Sequence, residues 1–304
     1  LRHALAEALG RATSLAIFAR DTAGDIGTSI NLPAEYTRHS VADIAVAAAK
    51  RTGEALRVIE EFGKIIDEET APRIEALRYR WYDLERRIAA ATKPRDALAV
   101  ARLYVLITES LCRNNWLQTA EASLDGGADI IQLREKSLND HELLRRAKCL
   151  ASLCRERGAV FIVNDRADIA VASSAHGLHV GQDDLQIPTV RRILRTEMMA
   201  GISTHTVEQA TIALDQSPDY IAVGPMFDTD TKPQDHIAGV DTLRAVRSLT
   251  CLPIVAIGGI TPENAPIVVA AGADCLCVCN AVIASEDPKS AARTLKNAFQ
   301  LQPS

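Results

Sequence analysis

Thr229-Asp230-Thr231-Lys232, shortly after the apolar run Tyr220–Pro225, places hydroxyls beside an ammonium, a set suited to a phosphorylated ligand. Upstream, Gln132-Leu133-Arg134-Glu135-Lys136, Asn164-Asp165 and Gly181-Gln182-Asp183-Asp184 each follow a short apolar run in the same way. Gln132 and Arg134 are two apart in an extended segment, so both side chains leave on one side. Arg134 offers an anion a planar fork and Lys136 a compact charge; ion pairing with Glu135 is the plainer use of both. Asp165 and Asp184 could share one hard cation. Magnesium suits such a pair because it takes few carboxylates and completes its shell with water and phosphate oxygens. General acid–base chemistry by the pair, or helix capping by Asp165, are the other uses. Together with the cations, the carboxylates favour a magnesium-bound diphosphate.

A second anion pocket is read further along. The glycines of Gly258-Gly259-Ile260-Thr261-Pro262 would let a phosphate approach backbone N–H groups. Thr261 is expected to cap the following helix with Pro262 at its first position, and a tight turn is the plainer reading of the glycines. Asn280 would sit beside this turn. His179 and His205 are read as packing residues with no proton-transfer role. Cys275, Cys277 and Cys279 alternate on one face of an apolar run, and read as buried thiols in preference to a soft-metal site.

The elements that must hold these groups are legible as alternation. From Leu103 onward, strand candidates fall at Tyr104–Thr108, Ile130–Arg134, Val160–Asn164, Gly177–Gly181, Ala200–Thr204, Tyr220–Gly224, Ile254–Gly258 and Cys275–Asn280, each followed by a helical stretch. Such βα repetition predicts an α/β fold, a closed (β/α)8 TIM barrel, with an open doubly wound sheet as the alternative. Barrel enzymes build their sites at the C-terminal ends of the strands, where the polar clusters lie.

Residues 1–97 differ in texture and predict a small, mostly α-helical domain ahead of the barrel at 98–304. Ser40–Lys50 continues helically into Glu54–Phe62, and Glu69–Ala91 carries an apolar stripe at Ile74, Leu77, Trp81, Leu84 and Ile88. Trp81 is read as packing. Lys93–Asp96, with its proline, reads as the linker. Leu1-Arg2-His3 echoes Leu77-Arg78-Tyr79, and the chain opens on Leu1 rather than Met. Both point to a first helical repeat that is mostly absent at the N-terminus.

Composition narrows the classes. Of 304 residues 47% are apolar but only 4% aromatic, so the core must be largely aliphatic. A net charge of -5 argues against a general nucleic-acid binder. No apolar stretch is long enough to span a membrane, no secretory signal opens the chain, and the loose cysteines fit a reducing cytoplasm.

From Leu103 to Phe299 the chain resembles thiamine-phosphate synthase. The segments Gln132–Lys136, Phe161–Asp165, His179–Asp184, Gly201–His205, Gly224–Lys232 and Ile257–Ile260 occur in that family's order. The resemblance implies that Gln132, Leu133, Arg134, Glu135, Lys136, Asn164, Ser203 and Lys232 bind an aminopyrimidine diphosphate. Asp165 and Asp184 would hold Mg2+. Thr229, Asp230, Thr231, Gly259, Cys279 and Asn280 would receive a thiazole phosphate. Arg134, Lys136, Ser203 and Lys232 would be the catalytic set. The family usually carries Ser where Asn280 stands and an aliphatic residue where Cys279 stands, which preserves backbone donors but not a hydroxyl contact. The implied partners are the two small-molecule substrates, with no nucleic acid and no membrane, and a homo-oligomer is left open. A related thiazole tautomerase shares the barrel but handles no diphosphate, and a regulatory protein with a dead site is a further alternative. The N-terminal region resembles a helical domain fused to these synthases, to which hydroxymethylpyrimidine-phosphate kinase activity is attributed. Arg20–Gly27, Leu32–Tyr36 and Glu54–Glu61 carry that likeness, with Asp21 and Asp25 as phosphate-site or turn residues.

Overall fold

Apolar runs with no polar face suit strands covered on both sides, and each run expected from Leu103 onward is such a strand. The computed structural model describes residues 2–9, 41–66, 69–229 and 237–300. Its strands are β1 Leu103–Ile107, β2 Ile130–Leu133, β3 Val160–Asn164, β4 Gly177–Val180, β5 Met199–Thr204, β6 Tyr220–Val223, β7 Ile254–Ile257 and β8 Cys275–Val278. They close into a barrel in chain order, every neighbouring pair is parallel, and β8 returns to β1 through Tyr104 opposite Cys277. The open-sheet alternative is thereby excluded. Several strands stop one or two residues earlier than expected. Arg134, Gly181, Gly224, Gly258 and Asn280 therefore fall just beyond their C-terminal ends.

The period of two sorts the core into two layers. Tyr104, Leu106, Val160, Ile162, Tyr220, Ala222, Cys275 and Cys277 fill the barrel interior. Leu103, Val105, Ile107, Phe161, Val163, Ile221 and Leu276 face the surrounding helices. Burial among these neighbours pushes the Cys275 and Cys277 thiols well up, so they behave as small hydrophobes. At the opposite end from the site, carboxylates fasten the strand starts. Asp129 accepts from the N–H groups of Arg102 and Leu103 while pairing with Lys296 at 2.7 Å. Asp274 does the same for Ile254 and Arg247.

The chain divides into compact units at Leu1–Lys93 and Pro94–Ser304. In the first unit, α1 (Arg2–Leu9), α2 (Val41–Ile66) and the start of α3 (Thr70–Val100) gather around Ala8, Ile59, Ile74 and Leu77. Arg78 reaches Glu60 at 2.6 Å, and Trp81 donates its indole N–H to Ala49 O at 3.1 Å. Trp81 therefore packs, as expected. The apolar stripe ends with Leu84, which is exposed, and the Ile88 side chain lies outside the described residues. Lys93–Asp96, read as the linker, spans the point at which the units divide and lies within α3. Good helix formers flank Pro94 on both sides, which favours helix despite its missing N–H. Leu1, Arg20–Gly27 with Asp21 and Asp25, and Leu32–Tyr36 lie outside the described residues, as do the side chains of Arg2 and His3. No helix among the described residues is long and apolar enough to cross a membrane.

Candidate active site

The C-terminal strand ends enclose a cavity of about 510 Å³. Gln132, Arg134, Lys136, Asn164, Asp165, Asp184, Ser203, Thr229, Gly259, Cys279 and Asn280 all line it. Asp230, Thr231 and Lys232 lie outside the described residues. Leu133 and Glu135 do not line the cavity with their side chains. Strand alternation turns Leu133 outward into the helix-facing core, where it is buried. Glu135 points away as well: its carboxylate accepts from Glu109 N at 2.8 Å and faces Arg146 at 3.5 Å.

The cations and carboxylates meet. The Lys136 ammonium is hydrogen-bonded to the Asp165 carboxylate. Burial, together with the neighbouring Asp184 carboxylate, raises the pKa of Asp165 against the opposing pull of Lys136. Asp184 in turn accepts from Gly181 N at 2.8 Å. Asp165 takes a left-handed backbone (φ 60°), and the next helix, Ala167–Ser173, has no side-chain cap, so capping is not its role. Two carboxylates sharing a cavity carry an excess of negative charge that a hard cation relieves, so the residues present fit a divalent ion. No cluster of three or more His, Cys, Asp or Glu arranged for a metal occurs among the described residues, which leaves water and ligand oxygens to complete such a shell.

Around Gly259 the sequence reading needs revision. The helix after β7 begins at Ala265, with Pro266 in its first turn and Asn264 preceding it. Thr261 does not cap it; instead Asn264 accepts from Thr261 N at 2.8 Å and donates to Gly259 O at 2.9 Å. The segment is an Asn-braced turn, and Thr261 O also accepts from Ala265 N at 2.9 Å. Gly259 has φ +64°, and a Cβ there would lie 2.5 Å from Asp228 O, so only glycine fits. Asn280 begins a short helix, Asn280–Ile283, rather than ending β8, and burial pushes the Cys279 thiol preceding it up to about 12.

Sequence reasoning missed one set of residues. Tyr104 and Tyr220 stand inside the barrel, Tyr104 at the cavity floor, and His179 stacks on Tyr220 at a centroid distance of 5.6 Å. His179 Nε2 is 2.8 Å from Ser203 Oγ, so this histidine packs and also touches a proposed site residue. Burial pushes its imidazole down to about 4 and keeps it neutral. Gly201 makes room for the arrangement: a Cβ there would fall 2.1 Å from the Tyr220 ring. The available signal was aromatic residues with polar tips at inward strand positions of an otherwise aliphatic barrel.

A closed parallel barrel with cations, paired carboxylates and a hydroxyl around one cavity defines a (β/α)8 enzyme of the phosphate-handling class. The chain belongs to the thiamine monophosphate synthase family, which residues 103–282 match. Residues 1–87 match the ThiD2 family. A thiamine-phosphate synthase of Thermosynechococcus vestitus is 39% identical over 281 residues, covering 91% of this chain and 79% of its own. One of Rhodopirellula baltica is 40% identical over 284 residues, with 89% and 75% covered. Among solved structures, thiamine phosphate pyrophosphorylase from Pyrococcus furiosus matches with a TM-score of 0.62 at 32% identity, covering 68% of this chain and 97% of that one. Members of such a family fit a metal-dependent reaction on small phosphorylated molecules.

Proposed function

We propose that the barrel is a thiamine-phosphate synthase, an alkyl transferase that joins an aminopyrimidine diphosphate to a thiazole phosphate and releases pyrophosphate. The observation that carries this reading is the meeting of Arg134, Lys136, Asp165, Asp184 and Ser203 around one cavity. Pyrophosphate leaves the pyrimidine methylene, and the thiazole nitrogen forms the new bond to that carbon. The amino group of the pyrimidine stabilises the cationic methylene, so no protein nucleophile is needed.

The protein's work is charge neutralisation and positioning. Arg134 and Lys136 bind the diphosphate, joined by Asn164, Ser203 and Lys232. Magnesium, held by Asp165 and Asp184, would supply further positive charge to the leaving group. In the free protein Lys136 already pairs with Asp165, so the lysine turns to the diphosphate as the ligands arrive. Thr229, Thr231, Gly259 and the backbone at Cys279 and Asn280 take the thiazole phosphate. We assign the barrel to residues 98–304 and the helical domain to 1–97. Seven free cysteines support a reducing, cytoplasmic setting.

Incubating the folded protein with both phosphorylated halves and magnesium tests the assignment. Thiamine phosphate and pyrophosphate should accumulate in equal amounts, and their absence would sink it.

A further inference from the structure

Along the floor of the cavity runs a chain of polar side chains, most of which the proposed bond-making step does not use. Gln132 Nε2 donates to Tyr104 Oη at 2.6 Å, and Tyr104 Oη lies 3.3 Å from Tyr220 Oη. Tyr220 Oη is 3.0 Å from His179 Nδ1, and His179 Nε2 is 2.8 Å from Ser203 Oγ. The chain passes through β2, β1, β6, β4 and β5, so it crosses the barrel from one wall to the other. Tyr104 is 1% exposed, Tyr220 0% and His179 8%; Gln132, Tyr104, His179 and Ser203 each reach the cavity wall, and Tyr220 alone lies wholly behind it.

Each phenol has one proton to give, and so does a neutral imidazole, so the direction of one link sets the direction of the next. We propose that Tyr104, His179 and Tyr220 form a positioning relay through which a diphosphate at Ser203 fixes the Gln132 amide, carbonyl oxygen toward the cavity, to accept from the amino group of the bound pyrimidine. The proposal rests on the synthase reading above. A diphosphate oxygen only accepts, so the Ser203 proton turns to it. Ser203 Oγ then accepts from His179 Nε2–H. With its one ring proton on Nε2, His179 leaves Nδ1 bare to accept from Tyr220. The Tyr220 oxygen accepts from Tyr104, and the Tyr104 oxygen from Gln132 Nε2. Gln132 Oε1 is the group left facing the ligand. The reversed chain would aim lone pairs of Ser203 at the anion and an amide N–H at the amino group, leaving both ends unsatisfied. The relay thus links recognition of the leaving group to discrimination between an aminopyrimidine and its oxo counterpart.

The test has one arm that needs no turnover. In wild-type protein with inorganic pyrophosphate and magnesium at about pH 7, nitrogen NMR of His179, assigned by its loss in His179→Gln, should show Nε2 protonated and Nδ1 bare. Protonated Nδ1 overturns the relay. Turnover of both phosphorylated halves by the same sample is the separate control. Its absence defeats the synthase reading, whereas turnover accompanied by protonated Nδ1 defeats the relay alone. In the second arm, Tyr220→Phe keeps the ring but cuts the chain, and Tyr104→Phe releases the Gln132 amide. Either should lower the kcat/KM preference for the aminopyrimidine diphosphate over its oxo analogue by at least about tenfold. A preference unchanged within about twofold in a folded variant overturns the relay, since a purely structural role would slow both substrates alike. Should Tyr220→Phe not fold, Tyr104→Phe and the tautomer measurement decide.

Discussion

Lys136 and Asp165 hold each other in the free protein: the ammonium of one is hydrogen-bonded to the carboxylate of the other, at the end of β3 where Asp184 also reaches. The group proposed to bind the leaving diphosphate therefore neutralises a group proposed to bind the metal. Asp165→Asn removes half of the paired carboxylates. The magnesium concentration for half-maximal rate should rise by at least about tenfold, read from initial rates across a magnesium titration. Chelation should stop the wild-type reaction, and added magnesium should restore it.

Arg134 lines the cavity just beyond the end of β2, with its backbone held by Ile107 O at 2.9 Å and its side chain free of the core. Arg134→Ala should lower kcat/KM by on the order of a hundredfold. Its thermal midpoint should stay within about 2 °C of wild type, because little packing is lost. An unchanged rate would remove Arg134 from the diphosphate pocket.

The buried His179 gives stability an acid dependence. Its ordinary value of 6.5 applies to the unfolded chain, while burial holds the folded imidazole at about 4. As pH falls between these values the unfolded state takes up a proton that the folded state does not. Stability therefore declines through that window and levels off below it, by roughly 3 kcal/mol from this one group. His176, also held low by burial, adds in the same direction. Urea midpoints measured across the window should fall for wild type and fall less for His179→Gln; parallel slopes would show that His179 is not held neutral.

Gly201 lies against the face of Tyr220, with no space for a methyl group. Gly201→Ala should cost about 2 kcal/mol of stability through overpacking, measured by urea unfolding. The Tyr220 ring must move in response, so turnover should drop as well.

Gly259→Ala tests the second pocket. The left-handed backbone and the Asp228 carbonyl at 2.5 Å both oppose a side chain there. Displacing this turn should raise KM for the thiazole phosphate about tenfold while leaving KM for the pyrimidine diphosphate near its wild-type value. Equal changes in both would place Gly259 outside the thiazole side.

Local chemistry made much of this protein legible in its order of residues. Uninterrupted aliphatic runs at regular intervals demand strands covered on both faces, and polar residues ending those runs must lie together once the strands are parallel. Gln132, Arg134, Asn164, Asp165 and Asp184 are accordingly gathered by the order of residues, whereas Ser203 enters through the family resemblance. Alternation alone could also have turned Leu133 and Glu135 outward, had it been applied past the end of the strand. Other features depend on distance in the chain. Tyr104 and Tyr220 are 116 residues apart, and only barrel closure brings their hydroxyls to 3.3 Å. His179 becomes part of a relay because Gly201 leaves a space one aromatic ring thick beside it. Period and polarity are properties of each segment and survive in the sequence. The direction of a buried hydrogen bond belongs to a pair of groups, and exists only once folding has excluded water from between them.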